Sequence, residues 1–292
     1  DPVATTHALA LAANMTGGLN EWGLTGGSEM YFHPGLAARS GVTAALLAQA
    51  GAQASATALD GPSGLFASLG QTAQLGKLGR FGEVPELMQV YHKAVPACNF
   101  AQTACQVAAL LAQESPVRPD EVSRIVIGVP HAAAAYPGCD QRGPYLHTLQ
   151  AKMSIQFNVV AALLTGRTVE SNFDLRGDAR LDVLLTRTEL CADPQLSSAF
   201  PARQGAYVEL HMRHGAIRRR ELDDVQHATA QDVRQRFMQA AQQQWGMAAA
   251  AALDHQIESL PRLEDAGGLA ASLGARGPAA LHRTARAAVA LE

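Results

Sequence analysis

Cysteine is scarce in this chain of 292 residues, and the four that occur are widely spaced. Cys98, Cys105, Cys139 and Cys191 form no C-x-x-C arrangement and no paired framework, which favours reduced thiols in a cytoplasm. The histidines and carboxylates show no metal-ligand spacing, and no glycine-rich nucleotide-binding motif is present. The sequence therefore predicts no metal site and no cofactor.

An excess of charge of either sign is also lacking. The chain has 23 Lys and Arg residues against 26 Asp and Glu residues, a formal net charge of -3. This balance indicates no attraction to nucleic acid or to an anionic membrane surface. No apolar run reaches membrane-spanning length and no signal-peptide pattern precedes the first predicted helix. We expect a cytoplasmic protein with neither nucleic acid nor membrane as a partner.

Aromatic residues make up only 5% of the chain, whereas hydrophobic residues as a whole make up 48%. Alanine supplies much of the hydrophobic content that is not aromatic. Helices that meet through alanine and glycine approach closely, so we expect tight helix–helix packing in the core. The length allows one large domain or two ordinary ones.

Composition divides the chain into three zones. Residues 1–83 are rich in Ala, Gly and Leu and are predicted to be helical, with a loop over 76–82. Residues 84–217 mix helices with strands joined by hairpin-type returns, which predicts an α+β domain with antiparallel pairing. Residues 218–290 return to helix, and 291–292 are interpreted as residues left by an expression vector.

Periodicity predicts the individual elements within these zones. Helices are predicted over Val3–Met15, Gly35–Gln49, Leu65–Leu69, Ala97–Gln113, Lys152–Leu164, Ala230–Gln243 and Trp245–Ile257, and strands over Val122–Val129, Arg187–Cys191, Tyr207–Arg213 and from Ala216 onward.

The stretch Ser28–Gly51 places a polar and aromatic patch, Glu29–His33, immediately before a small-residue helix. Pro34 fits the first turn of that helix, where a missing N–H costs nothing. A helix N-terminus attracts anions, so His33 is a candidate anion-binding residue. The alternative is that His33 is a capping or core histidine.

Three blocks of sequence together resemble the MmgE/PrpD family, which includes 2-methylcitrate dehydratases, cis-aconitate decarboxylase and iminodisuccinate epimerase. The second block runs from Lys93 through Pro96 and Cys98 to the segment 101–104, and the third is 152–157. The first block is carried by His33, Gly35, Ala37, Ala38, Gly41, Ala44, Ala45, Leu47, Ala48 and Gly51.

The resemblance implies a mixed fold: a discontinuous all-α helical domain into which residues 84–217 are inserted as an α+β lid. It looks limited to the C-terminal part of such a protein, since the family's earlier helices, which carry acidic, threonine and histidine site residues, have no counterpart here. We therefore expect either a homodimer or association with a subunit that supplies the missing helices.

The resemblance also implies a lyase, dehydratase-like, that acts on a small di- or tricarboxylic acid by cofactor-independent proton transfer. Decarboxylation and epimerisation stay open, and a non-catalytic or partner-dependent subunit is the alternative from another class. The candidate catalytic residues are Lys93 and His33, and the candidate substrate-binding residues are Tyr31, Arg39, Gln102, Lys152 and Ser154. The competing interpretations are a surface lysine for Lys93, a polar residue at a helix start for Gln102 and a helix cap for Ser154.

Three positions depart from the family pattern. Met30 stands where several members have lysine, Phe100 where methylcitrate dehydratases have histidine, and Phe157 where a relative has an active-site tyrosine. Polar groups have been replaced by apolar ones at each. The expectation is a smaller or less charged substrate, or an inactive site.

Overall fold

The computed structural model describes residues 1–72, 76, 82–83, 85–265 and 267–275. The chain divides into two compact units, Asp1–Gln226 and His227–Glu292. The loop predicted over 76–82 lies mostly outside the described residues, and residues 291–292 lie wholly outside them. The predicted domain boundaries at 83 and 217 stay predictions.

Helices predominate in the first unit, and a single small sheet accompanies them in the described part of it. The helices are α1 (Pro2–Ala13), α2 (Trp22–Thr25), α3 (His33–Gln49), α4 (Leu65–Ser68), α5 (Gln102–Glu114), α6 (His131–Ala134), α7 (Thr148–Met153), α8 (Ile155–Thr165), α9 (Ala179–Leu185) and α10 (Pro194–Ala199). Short 3₁₀ helices span Glu29–Tyr31, Glu86–Gln89, Asn99–Ala101 and Glu170–Leu175. The strands are β1 (Val122–Val129), β2 (Thr188–Ala192), β3 (Ala206–Met212) and β4 (Ile217–Leu222).

The sheet has the order β2-β1-β3-β4 and is mixed. β1 pairs antiparallel with β3, and β3 with β4, as predicted for hairpin-type returns. β1 and β2, however, run parallel. The expectation of antiparallel pairing was wrong at this edge, because α6 to α9 lie between the two strands and carry the chain back to the same end of the sheet.

The core of the first unit lies between α5, α8 and the sheet. Phe157, Leu111, Ile125 and Leu210 are fully buried there. α1 and α3 pack separately through small residues such as Ala10 and Ala44, as the abundance of alanine predicted.

Two helix starts differ from the prediction. The helix predicted from Ala97 begins at Gln102, because Cys98 is extended (ψ 148°) after Pro96 and a 3₁₀ turn follows. The helix predicted over Lys152–Leu164 is two helices, since Ser154 has an extended ψ of 119° between α7 and α8. Ser154 Oγ accepts the Phe157 N–H at 3.0 Å and so begins α8 anew.

In the second unit, α11 (Ala230–Trp245) packs on α12 (Met247–Ser259), and α13 (Gly267–Ala275) follows. Thr229 and Asp232 form a capping box at the start of α11. The Arg234 guanidinium joins the two helices through ion pairs to Asp254 (2.6 Å) and Glu258 (2.5 Å). None of the helices described in either unit is long and apolar enough to cross a membrane.

Candidate functional site

A cavity of about 410 Å³ lies in the first unit between the segment 22–31 on one side and the segments 93–100 and 149–153 on the other. It contains both basic and aromatic side chains. Its lining residues are Trp22, Met30, Tyr31, Lys93, Pro96, Ala97, Cys98, Asn99, Phe100, Tyr136, Leu149, Lys152 and Met153. Three of the candidate site residues, Tyr31, Lys93 and Lys152, therefore share one cavity.

Lys93 lies on the irregular segment that precedes the 3₁₀ helix Asn99–Ala101 and α5. Its Nζ donates a hydrogen bond to the Ala97 carbonyl oxygen at 3.2 Å, so the ammonium group folds back over the Pro96 turn and reaches the cavity. The sequence K-x-x-P-x-C thus builds a compact loop that presents a cation and a thiol, Cys98, to the same space.

Gln102 holds this loop in place from below. Its side chain is fully buried, its Nε2 donates to the Val95 carbonyl at 2.8 Å and its Oε1 accepts the Val95 N–H at 2.9 Å. Nε2 also lies 3.3 Å from the carbonyl oxygens of Ala97 and Cys98. Since the amide is engaged with backbone groups and does not line the cavity, Gln102 positions the Lys93 loop.

Lys152 brings the second cation to the cavity from the last turn of α7. Its Nζ lies 2.5 Å from Glu170 Oε1 and 5.0 Å from the centroid of the Phe173 ring. The Lys152 side chain is 27% exposed, whereas that of Glu170 is 65% exposed. Two ammonium groups beside an apolar wall favour a ligand that carries carboxylates.

Two glycines allow the segment 22–31, which forms one wall of the cavity, to lie close to the loop around Gly138. Gly138 has φ +80°, and a Cβ there would lie 1.9 Å from the Gly23 carbonyl oxygen. A Cβ on Gly23 would lie 2.7 Å from the Pro137 carbonyl oxygen. This backbone contact sets Trp22 against the cavity, and Asn20 Nδ2 adds a 3.1 Å hydrogen bond to Tyr136 Oη.

His33 and Arg39 line a different cavity, of about 530 Å³, between α1 and α3. The His33 ring packs over the turn at Gly18, where a Cβ would lie 3.3 Å from Nδ1. Tyr31 and His33 are two residues apart, but Tyr31 closes a 3₁₀ turn and His33 begins α3, so their side chains take different directions. The structure does not bring His33 or Arg39 to the cavity of Lys93.

Ser154 is buried at the joint between α7 and α8. Its Oγ donates to the Gln141 carbonyl at 2.5 Å while it accepts the Phe157 N–H, and Tyr145 Oη lies 3.0 Å away. This arrangement is that of a helix cap. Burial raises the pKa of Tyr145 to about 12, so its hydroxyl stays protonated at neutral pH.

The apolar replacements occupy different places. Met30 and Phe100 both line the cavity, and Phe100 packs on Tyr136 with ring centroids 5.3 Å apart. Phe157 is fully buried and stacks on Phe173, with ring centroids 5.9 Å apart. A tyrosine hydroxyl at this position would therefore lie in the core beneath Lys152, and the replacement removes it from the core and not from the cavity surface. Two of the three departures therefore change the cavity surface itself.

Sequence reasoning did not single out Trp22, Tyr136 or Cys98 as site residues. Trp22 is one of only two tryptophans, and Cys98 ends the K-x-x-P-x-C segment, so each carried some signal. Tyr136 follows an alanine run and carried none. No group of His, Cys, Asp or Glu within the described ranges has the geometry to hold a metal ion.

Comparison with known proteins gives two matches along the chain. Residues 1–77 match the MmgE/PrpD N-terminal domain and residues 95–258 match the MmgE/PrpD C-terminal domain. A search of curated proteins gives no match. The expectation that the chain resembles only the C-terminal part is revised, since residues 1–77 belong to the N-terminal domain. The cavity takes Trp22, Met30 and Tyr31 from the first matched range and most of its other residues from the second.

Proposed function

Because this chain belongs to the MmgE/PrpD family, we propose that it is a dehydratase-like lyase acting on a small di- or tricarboxylic acid by cofactor-independent proton transfer. The family is one of dehydratase and lyase-type enzymes. The observation that carries the proposal is the presence of Lys93, Lys152 and Tyr31 around one cavity of about 410 Å³.

In this proposal, each lysine binds a carboxylate of the substrate. A carbon acid next to a carboxylate becomes acidic enough to deprotonate only when the developing negative charge is stabilised, and a fixed ammonium group does this. Lys93 reaches the cavity from a loop fixed by Gln102, which suits a catalytic role, and Lys152 and Tyr31 contact the substrate. The roles first expected for His33 and Arg39, and substrate contact by Gln102 and Ser154, are not part of the proposal.

The wall formed by Met30 and Phe100 supports a substrate with an apolar end or with one carboxylate fewer than a tricarboxylate. A carboxylate pressed against these side chains would lose hydration without gaining a partner. Decarboxylation or epimerisation of such an acid would use the same two cations, and both remain alternatives within the family.

The finer fold assignments are part of the proposal as well. We propose that residues 84–217 act as the lid over a helical domain, in a cytoplasmic protein. The buried core between 95 and 222, which includes residues of all four strands, supports the mixed helix-and-strand character proposed for this segment.

A second candidate, a partner-dependent or homodimeric subunit, is favoured by the surface of α3. Val42 and Leu46 lie four residues apart on one face of this helix and are 62% and 59% exposed. Apolar side chains repeated along one helix are usually covered by another protein surface. Light scattering over a concentration series distinguishes a self-sufficient monomer from a subunit that must associate. A chain that is monomeric at every concentration and fully active contradicts this candidate.

Carboxylate binding tests the principal proposal. Titration calorimetry with mono-, di- and tricarboxylates should show binding that Lys93→Met and Lys152→Met each weaken about tenfold, the loss of one charge-assisted hydrogen bond. Arg118→Met is the matched control, since Arg118 is exposed, pairs only loosely at 3.7 Å and 3.5 Å, and does not line the cavity.

Met30→Lys should strengthen carboxylate binding, because it adds a third cation at the lining position where several relatives have one. Turnover is then followed by ultraviolet absorbance, because the product of a dehydration contains a carbon–carbon double bond conjugated with a carboxylate. Binding that is the same in both lysine variants and in the control would overturn the proposal.

A further inference from the structure

Cys98 and Cys139 face each other beside the candidate cavity, with their Sγ atoms 3.7 Å apart. Cys98 lines the cavity and is half-buried, whereas Cys139 lies behind it and is completely buried. We propose that the two thiols form a redox couple, in which a hydroperoxide that enters the cavity oxidises Cys98 and Cys139 then closes a disulfide. This inference does not depend on the proposed enzyme activity.

The backbone fixes both cysteines on the same structural joint. The Cys98 N–H donates to the Lys152 carbonyl at 2.9 Å, and the Cys139 carbonyl accepts the Ile155 N–H at 2.9 Å. Lys152 and Ile155 flank Ser154, where α7 ends and α8 begins. The two thiols are thereby held in register, although 41 residues separate them.

Charge and hydrogen bonding divide the roles between the two sulfurs. The hydrogen bond with Cys139 is the main cause that lowers the pKa of Cys98 to about 7 against the opposing effect of burial, and the N–H groups of Phe100 and Ala101 and the charge of Lys93 contribute to this lowering. The same hydrogen bond, together with burial, raises the pKa of Cys139. Cys98 reacts as the thiolate while Cys139 keeps its proton.

Other ionisable groups act on this pair from the neighbouring segments. Burial raises the pKa values of Tyr91 and Cys105, and the charge of Cys98 adds to both shifts. The pKa of Cys139 is raised mainly by its hydrogen bond with Cys98 and by burial, and the charge of Asp140 adds to this. Cys105 is fully buried and burial raises its pKa, and the pKa of Cys191 is also raised, by burial and by Glu189. These two cysteines are internal controls within the same chain.

The chemistry balances in two steps. The Cys98 thiolate attacks the outer oxygen of the hydroperoxide, the O–O bond breaks, and the departing alkoxide or hydroxide takes up one proton, which leaves Cys98 as a sulfenic acid. The Cys139 sulfur then attacks the Cys98 sulfur, and the Cys139 proton leaves with the sulfenic oxygen as water. The two thiols lose two electrons and the hydroperoxide gains them.

Closing the bond needs the sulfurs to move from 3.7 Å to a bonded distance of about 2.05 Å. Side-chain rotation of the more exposed Cys98 supplies such a movement. The disulfide would tie the 93–100 loop to the loop at 139, and because Cys98 lines the cavity, the lining would change with oxidation.

Peptide mass spectrometry of the full chain tests the couple. The protein is treated with stoichiometric hydrogen peroxide, free thiols are blocked with N-ethylmaleimide, and the digest is compared with and without dithiothreitol. We expect a Cys98–Cys139 disulfide that dithiothreitol reverses. Cys139→Ala should instead accumulate a dimedone-reactive sulfenic acid at Cys98, Cys98→Ala should abolish both products, and Cys191→Ala should change neither.

The wild-type chain supplies a second measurement that needs no variant to fold. The rate of alkylation should rise at a lower pH for Cys98 than for Cys191, because the pKa of Cys98 is lowered to about 7 whereas burial and Glu189 raise the pKa of Cys191. An oxidised product that joins Cys191 instead, no intramolecular disulfide at all, or a pH midpoint of alkylation for Cys98 that is no lower than that for Cys191 would each overturn the proposal.

Discussion

Lys152 and Glu170 form an ion pair at the edge of the candidate cavity, with Nζ 2.5 Å from Oε1. The lysine is the more buried partner, so its charge is directed into the site, while the carboxylate stands mostly in solvent. The pair therefore has a consequence for ligand binding: Glu170 competes with any carboxylate ligand for the same ammonium group.

Replacing Glu170 by glutamine should strengthen carboxylate binding about two- to fivefold, the range expected when one exposed ion pair is removed. Calorimetric titration at low and moderate salt measures the change. Glu114→Gln is the control, because Glu114 pairs with Arg220 at a site that does not line the cavity. Weaker binding in Glu170→Gln would mean that the carboxylate helps to position Lys152 rather than to oppose its ligand.

Gln102→Leu should destabilise the first unit by about 2–4 kcal/mol. The substitution keeps the volume but leaves the N–H and C=O of buried Val95 without their partners, and each such loss costs about 1–3 kcal/mol. Urea unfolding followed by circular dichroism gives the free energy. Gln113→Leu, which removes one exposed hydrogen bond to Gly166, should cost less than 1 kcal/mol. Equal losses in both variants would contradict the assigned role of Gln102.

Gly138→Ala should cost about 3 kcal/mol and should also weaken ligand binding. Part of the cost is the left-handed backbone, and the rest is the collision of the new methyl group with the Gly23 carbonyl oxygen. Gly215→Ala separates the two effects, since Gly215 has φ +92° but open space around it, and should cost about 1 kcal/mol. Thermal melting and titration of both variants test whether the Gly23 contact holds the cavity wall.

The pH dependence of Cys98 alkylation should have its midpoint at about 7. Below this pH the thiol is protonated and unreactive, and above it the thiolate dominates. Lys93→Met removes a nearby positive charge that stabilises the thiolate, so the midpoint should rise. Rates of iodoacetamide modification, followed by mass spectrometry from pH 5.5 to 9, measure it, and an unchanged midpoint would place Lys93 too far from Cys98 to act on it.

Local sequence patterns predicted much of the secondary structure. The bounds of β1 were predicted as Val122–Val129, because a run of β-branched residues between prolines leaves little choice. Helix α3 likewise follows from its small-residue periodicity and Pro34. The break at Ser154 was not predicted, since it depends on contacts that are distant in sequence: Ser154 Oγ donates to the Gln141 carbonyl and the Ile155 N–H donates to the Cys139 carbonyl.

The site was harder to predict than the elements that carry it. Lys93 and Lys152 were candidates from separate blocks, and their convergence depends on the fold, in which the Cys98 N–H binds the Lys152 carbonyl. His33 was grouped with Tyr31 because they are close in sequence. A change from a 3₁₀ turn to an α-helix between them separates their side chains, and no composition or spacing rule shows where such a change occurs.

The two walls of the cavity differ in how much they contribute to the stability of the fold. On the N-terminal side, Tyr31 is 60% exposed and Met30 is only partly buried, whereas Ala97 and Met153 opposite them belong to the buried core. Mutations at 30 or 31 can thus alter what the cavity accepts at little cost in stability, whereas mutations opposite endanger folding. Selection can retune ligand preference through one wall while the other is held constant, and a designer seeking new specificity should randomise positions 30 and 31 first.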